Sequence, residues 1–272
     1  MSVEARDNDT ALETYLKQGQ KALSRLKFGS LDSSLHDLRV ALRRLRTISK
    51  AAPQGAITAR WAQTARKIAK LSNPLRDLEV RIKWLQINSK PLSGEERRLA
   101  RQLTFALLEE YQTSKRRLVR RITPYWLRIL QPCQANKLGG SVAALDPSLV
   151  RQRQRIFLRH YHKLTPNSSF QALHQTRIKA KQYRYVLEHF DNKTKKAAKV
   201  INNLKQLQDL LGDIHDLHNI STKFKDSLKS APRKWASLYC SLLNLVERQQ
   251  DEMRRRLGKF KARHAFKKPI KL

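Results

Sequence analysis

The residues with the clearest chemistry are a set of cations that occurs twice. His36, Arg39, Arg43 and Arg46 recur as His174, Arg177, Lys181 and Arg184, 138 positions later (174 against 36), and Val40 recurs as Ile178. The shared pattern is H-x-x-R-[VI]-x-x-[RK]-x-x-R. On an α-helix, at about 100° per residue, the four groups of the first copy fall within an arc of about 80°. Arg presents a planar fork to phosphate oxygens, Lys a point charge, and protonated His donates from both ring nitrogens. Like charges at these spacings repel by a few tenths of a kcal/mol per pair. No acid of the helix lies on the stripe, since Asp37 points off at about 100° from His36. Such a stripe calls for a polyanion from outside.

An element must hold that stripe in place. Leu35, Leu38, Leu42 and Leu45 lie on the adjoining face, so Ser34–Ala52 reads as an amphipathic helix with a Leu seam for the core. The second stripe lies on a helix over 172–190. Around the first, the spacing predicts a helix over 9–26, a long helix over 56–87 interrupted at Pro74, and another over 94–130. Around the second it predicts helices over 149–164, 192–224 and 232–260. Gly212 falls where Asn73 stands in the first copy, which predicts a helix break at the same place in each half. The stretch 131–148, with Pro132, Gly139, Gly140 and Pro147, reads as the connection between halves. No alternating apolar–polar run suggests a strand. The expectation is all-α: duplicated four-helix bundles, 9–131 and 148–262, related by a pseudo-two-fold axis. The stripe helices should face one another across the middle, because a cleft lined by one sign of charge focuses potential, and a loose basic tail should follow at 263–272. Trp61, Trp84, Trp126 and Trp235 are expected in the core.

Composition narrows the partner. The 272 residues carry 57 Lys and Arg against 22 Asp and Glu, a formal charge of +35, which selects polyanions: nucleic acid, an anionic membrane surface or polyphosphate. Two cysteines, Cys133 and Cys240, make no metal or disulfide framework and suit a reducing compartment. No apolar run is long enough to span a bilayer, and the polar, acidic start resembles neither a secretory signal nor a transit peptide. A cytoplasmic location is expected.

The twin stretches LHDLRVALRRLR and LHQTRIKAKQYRY, followed by RDLEV and GDIHDL, resemble the CHAD family, the "conserved histidine α-helical domain", over nearly the whole chain. The resemblance implies a duplicated four-helix bundle that binds inorganic polyphosphate in a basic central channel. The chain is expected to act without catalysis and without a cofactor, in the cytoplasm and in association with polyphosphate granules. It implies the binding set His36, Arg39, Arg43 and Arg46 with His174, Arg177, Lys181 and Arg184. Arg76, His215 and Tyr185 are further candidates. His215 stands where the usual pattern, and Arg76 in the first half, has arginine. An alternating E-x-E-x-K strand, found in relatives with a triphosphate-tunnel domain, is not present.

Rival chemistries find less support. Single-strand binders want stacking platforms, and aromatics are only 7% of the chain, with Tyr185 alone beside a stripe. Backbone-only nucleic-acid binding, weaker than polyphosphate binding, remains the alternative. For a metal, His160-x-His162 and His215-x-x-His218 lack a carboxylate or thiol set. A metal-dependent polyphosphate-cleaving enzyme would need clustered carboxylates, and the stripes contain none. Asp77 and Asp216, one per half, read as salt-bridge or capping residues. No G-x-x-x-x-G-K-[ST] occurs. Oligomeric state is not legible.

Overall fold

The Leu seam dictates how the first stripe helix packs. In the computed structural model, which describes residues 3–28, 33–51, 56–134, 148–190, 194–264 and 266, the helix α2 (Ser34–Ala51) buries Leu35, Leu38, Leu42 and Leu45 to 1% exposure or less. It packs between α1 (Val3–Phe28) and α3 (Ala56–Leu71). The remaining helices are α4 (Asn73–Asn88), α5 (Gly94–Gln134), α6 (Ser148–Lys163), α7 (Phe170–Phe190), α8 (Lys195–Leu228) and α9 (Arg233–Arg263). The architecture is all-α, and the described residues contain no strand.

The described residues fall into two compact units, one within Met1–Ile82 and Phe105–Asp146, the other within Lys83–Thr104 and Pro147–Leu272. The division runs through α4 and α5. Residues 83–104, which the sequence halves assign to the first, thus belong with the second unit. There Trp84 Nε1 donates to Gln249 Oε1 (2.8 Å), and Gln249 Nε2 donates to Asn88 Oδ1 (2.6 Å). Ser241 Oγ donates to Glu96 (2.6 Å), and Lys234 pairs with Glu95 (3.1 Å).

The first unit is centred on the buried Leu16, Leu23 and Leu26 of α1, the Leu seam of α2, Trp61 and Ile68 of α3, and Trp126 and Ile129 of α5. Gly19 is required by its neighbour. A Cβ there would lie 2.1 Å from the Trp126 ring, so only a bare Cα lets α1 receive that indole. The second unit packs α6 on α7, α7 on α8 and α8 on α9, around Phe157, Tyr161, Tyr183, Leu187, Leu204 and Leu211. Phe266, in the tail expected to be loose, is buried with its ring edge-on to Phe157 and Tyr161. Trp61, Trp84 and Trp126 are core residues as expected, whereas Trp235 is only half-buried.

Local signals explain the helix ends. Ser169 Oγ accepts from the Ala172 amide (3.3 Å) at the start of α7, and Thr194 Oγ1 from Ala197 (3.2 Å) at the start of α8. Pro74 removes a backbone donor, and the helical run breaks at Ser72 into α3 and α4. The matching break expected at Gly212 does not occur, for α8 runs through it. A glycine in a helix interior costs only about 1 kcal/mol, too little to end a helix whose apolar face is well buried. The connection over 135–147 and residues 267–272 lie outside the described residues.

Candidate functional site

The first unit gathers its cations on α2, with additions from α3 and α4. His36 keeps an exposed surface, and Arg39, Arg43 and Arg46 are half-buried. Partial desolvation lowers the pKa of His36, as do the charges of Arg43 and Arg76, against the opposing pull of Asp37 and Glu79. Desolvation, with Arg66 close by, also lowers the Arg46 pKa. Arg43 Nε is buried without a hydrogen-bond partner among the described residues.

Arg39 is different. Its Nη1 donates to Ser72 Oγ (2.6 Å), Asn73 Oδ1 (2.9 Å) and the Ala69 carbonyl (3.2 Å). These acceptors sit at the junction of α3 and α4, where Pro74 has disturbed the ladder. A cation at the C-terminal end of α3 meets the negative end of its dipole. One nitrogen of Arg39 therefore ties the helix junction to α2.

Arg76, on α4, forms an ion pair with Glu79 (2.9 Å), whose side chain is fully buried. Asp37, the acid of α2, pairs with Arg25 of α1 rather than with a stripe cation, but α4 brings a carboxylate to the stripe. Sequence reasoning missed Glu79 and Arg66. The i, i+3 spacing of Arg76 and Glu79 was the available signal for the pair.

The second unit builds its set on α7 and α8. His174, Arg177, Lys181 and Arg184 are all half-buried along α7. The His174 ring lies 4.8 Å, centroid to centroid, from that of His215 on α8, with the planes 37° apart. Burial pushes the His215 pKa down to about 4, aided by Arg177, His174, His218 and Lys181. Desolvation, then Arg177 and Lys181, lowers that of His174 as well. Both shifts favour the uncharged rings. His174 Nδ1 is buried with no hydrogen-bond partner among the described residues, whereas His215 Nε2 lies 3.4 Å from Asn219 Nδ2.

The Arg177 guanidinium lies against Gly212, and this replaces the helix break that the sequence suggested. A Cβ on Gly212 would come to 3.0 Å from Arg177 Nη2. Arg177 also acts on Asp213, whose pKa is raised by desolvation and by Asp216 and Asp209, against the pull of Arg177 and Arg256. Arg184 pairs with Glu188 (3.4 Å) and covers the Tyr185 ring at 4.9 Å. Tyr185 is 9% exposed, so it supports Arg184 rather than offering a stacking face. Among the described residues, no three His, Cys, Asp or Glu side chains gather to hold a metal ion, and no helix is long and apolar enough to cross a membrane.

Thus each unit draws its predicted residues onto one helix and adds a side chain from a later one: Arg76 of α4 in the first, His215 of α8 in the second. The model of the CHAD domain matches residues 10–221. The crystal structure of the CHAD domain from the plant Ricinus communis superposes with a TM-score of 0.74 at 18% identity, covering 95% of this chain and 90% of that one. No curated protein matches.

Proposed function

Because the chain belongs to the CHAD domain family, we propose that it binds inorganic polyphosphate through its two cationic helices and does no chemistry on it. One observation carries the reading. In each unit, burial first and neighbouring cations second depress ionisation along the stripe: Arg43 and Arg76 add to the desolvation of His36, Arg66 to that of Arg46, and Arg177 and Lys181 to that of His174 and His215. A fold that gathers like charges at a cost recovers that cost when an anion neutralises them. Cleavage assisted by a metal would need carboxylates clustered around the phosphate. Glu79 and Glu188 are instead held in ion pairs with Arg76 and Arg184.

The proposal includes two four-helix halves related by a pseudo-two-fold axis, their stripes turned to a common basic channel. Burial at the repeat spacing supports the duplication of the first two helices of each half. Leu16, Gly19, Leu23 and Leu26 of α1 are buried, and so are Gln154, Phe157, Tyr161 and Leu164, each 138 positions on. Leu35, Leu38, Leu42 and Leu45 of α2 likewise correspond to the buried Leu173, Thr176, Ala180 and Tyr183. The domain extent of 9–262, the cytoplasmic location and an association with polyphosphate granules belong to the same proposal.

The test is competition in one buffer among long-chain polyphosphate, single-stranded RNA and duplex DNA at matched phosphate. Polyphosphate should bind tightest. Equal or tighter nucleic-acid binding would replace this reading with backbone recognition of nucleic acid. All affinities fall with salt through counterion release, so ranking, not salt dependence, decides. Polyphosphate length should stay constant on prolonged incubation with Mg²⁺.

A further inference from the structure

Outside the stripes, α6 carries a second row of cations with a different environment. Its sequence, SLVRQRQRIFLRHYHK, contains no acid. Val150, Gln154, Phe157 and Tyr161 face the core, while Arg151, Arg155, Arg159 and Lys163 are exposed. These four stand at i, i+4, i+8 and i+12, so the row advances about 6 Å per step and winds about 40° around the helix each time. None of the four has an ion pair among the described residues.

The positions 138 residues earlier sharpen the contrast. They are Glu13, Lys17, Lys21 and Arg25 on α1. There Glu13 pairs with Lys17 (3.8 Å), and Arg25 pairs with Asp37 (2.6 Å). The first copy of this face is partly neutralised by its own acids. The second has an arginine where the first has Glu13, and among the described residues no acid pairs with its cations. Neighbouring like charges on a helix repel, so a row of four is relieved only by an anion that runs along it.

We propose that the exposed face of α6 is a second polyanion-docking surface, on which a long polyphosphate chain continues beyond the stripe residues. The proposal rests on the polyphosphate reading above and deepens it, making the protein selective for long chains over short ones. The aromatic residues of α6, Phe157 and Tyr161, are buried in the core, so this face offers no platform for stacked bases. A flexible chain with charge at every phosphate and no bases can follow the oblique row.

The test replaces Arg151, Arg155, Arg159 and Lys163 together by glutamine, which has nearly the same helix propensity, with circular dichroism to check the fold. Binding of tripolyphosphate and of long-chain polyphosphate is then measured over a range of salt. Long-chain affinity should fall by roughly tenfold or more, with a shallower salt dependence, while tripolyphosphate binding is unchanged. A second variant, with Arg151, Arg155 and Arg159 changed to lysine, keeps the charge and should retain long-chain binding. Unchanged long-chain binding in the glutamine variant would overturn the proposal. So would an equal loss for both ligands, which means a diffuse field, or, with RNA and DNA titrated alongside, a loss confined to those two, which assigns the face to nucleic acid. If the unaltered protein binds neither polyphosphate, the reading of the stripes fails at its root, and that result is distinct from a failure of the α6 face alone.

Discussion

Arg177 rests its guanidinium on the bare Cα of Gly212, closely enough that an added Cβ would stand 3.0 Å from Nη2, 3.4 Å from Nε and 3.5 Å from Cζ. The glycine leaves α8 unbroken and opens a seat for a cation of α7. At the corresponding place in the first unit, Arg39 donates to Asn73 across 2.9 Å. The two arginines at the same offset of the repeat thus meet matching positions, Asn73 of α4 and Gly212 of α8, one by a hydrogen bond and one by close approach.

Gly212→Ala separates stability from binding at this seat. Alanine is favoured over glycine in a helix interior by about 1 kcal/mol. The opposing contact is the far end of a flexible side chain, which has to move by a few tenths of an ångström. Thermal unfolding should therefore show unchanged or slightly raised stability, while polyphosphate affinity falls several-fold as Arg177 is displaced. A stability loss with unaltered affinity would mean that the glycine serves packing alone.

Arg39→Ala and Arg43→Ala should differ, although sequence spacing treats them alike. Arg39 Nη1 supplies three acceptors at the α3–α4 junction, including Ser72, which is fully buried. Leaving such groups unsatisfied costs about 1–3 kcal/mol. Arg39→Ala should lower stability by that order as well as weaken binding. Arg43→Ala should weaken binding with little effect on denaturant midpoints. Equal stability losses in the two variants would contradict the assignment of Arg39 as a junction tie.

Glu79→Gln tests whether the buried carboxylate restrains Arg76. The pair is 2.9 Å apart, with Glu79 fully buried. Removing the charge leaves a partly buried guanidinium uncompensated, which should cost about 1–3 kcal/mol of stability. It should also raise polyphosphate affinity, most visibly at low salt, because Arg76 then seeks its anion elsewhere. Calorimetry of unfolding and of binding on the same variant checks both effects. A fall in affinity would show that Glu79 instead orients Arg76 for the ligand.

What the sequence made legible follows from periodicity. The Leu seam at 35, 38, 42 and 45 could be read because burial on one helix face leaves a regular trace, and the cation stripe followed from the same spacing. Contacts between helices leave no such trace. That Arg39 would turn to Ser72 and Asn73, that Glu79 would sit beneath Arg76, or that Gly212 would seat Arg177 depends on how α2 meets α3 and α4, and how α7 meets α8. Glycine was read as a breaker because its propensity is local, whereas its use here is tertiary. Tyr185 was placed beside the stripe correctly by angle, but its burial under Arg184 depends on packing that angle alone does not contain.

The pH dependence of binding follows from the second unit's histidines, and its window lies lower than the ordinary histidine range. The folded-state pKa of His215 is about 4, and that of His174 is also below its usual value. For the protein alone, a depressed histidine stabilises the fold above its unfolded pKa of about 6.5, and this contribution is lost as pH falls from there toward the folded value. Bound polyphosphate opposes the depression. Its charge offsets that of Arg177 and Lys181 on α7, while His218, Asp213 and Asp216 remain as neighbours on α8, so both histidines gain affinity for protons when the ligand is present. Binding therefore takes up protons, and affinity should rise as pH falls through the range below about 6.5, rather than between 8 and 6 as an unperturbed histidine would require. The measurement is titration of fixed-length polyphosphate at constant ionic strength from pH 7.5 to pH 5, within about one unit of the ordinary histidine value and somewhat below it. His174→Gln with His215→Gln should flatten the curve, and His36→Gln alone should alter it less, since that ring keeps an exposed surface. Parallel curves for all three proteins would show that arginine and lysine hold the ligand without help from the histidines, and that the close approach of His174 to His215 serves packing alone.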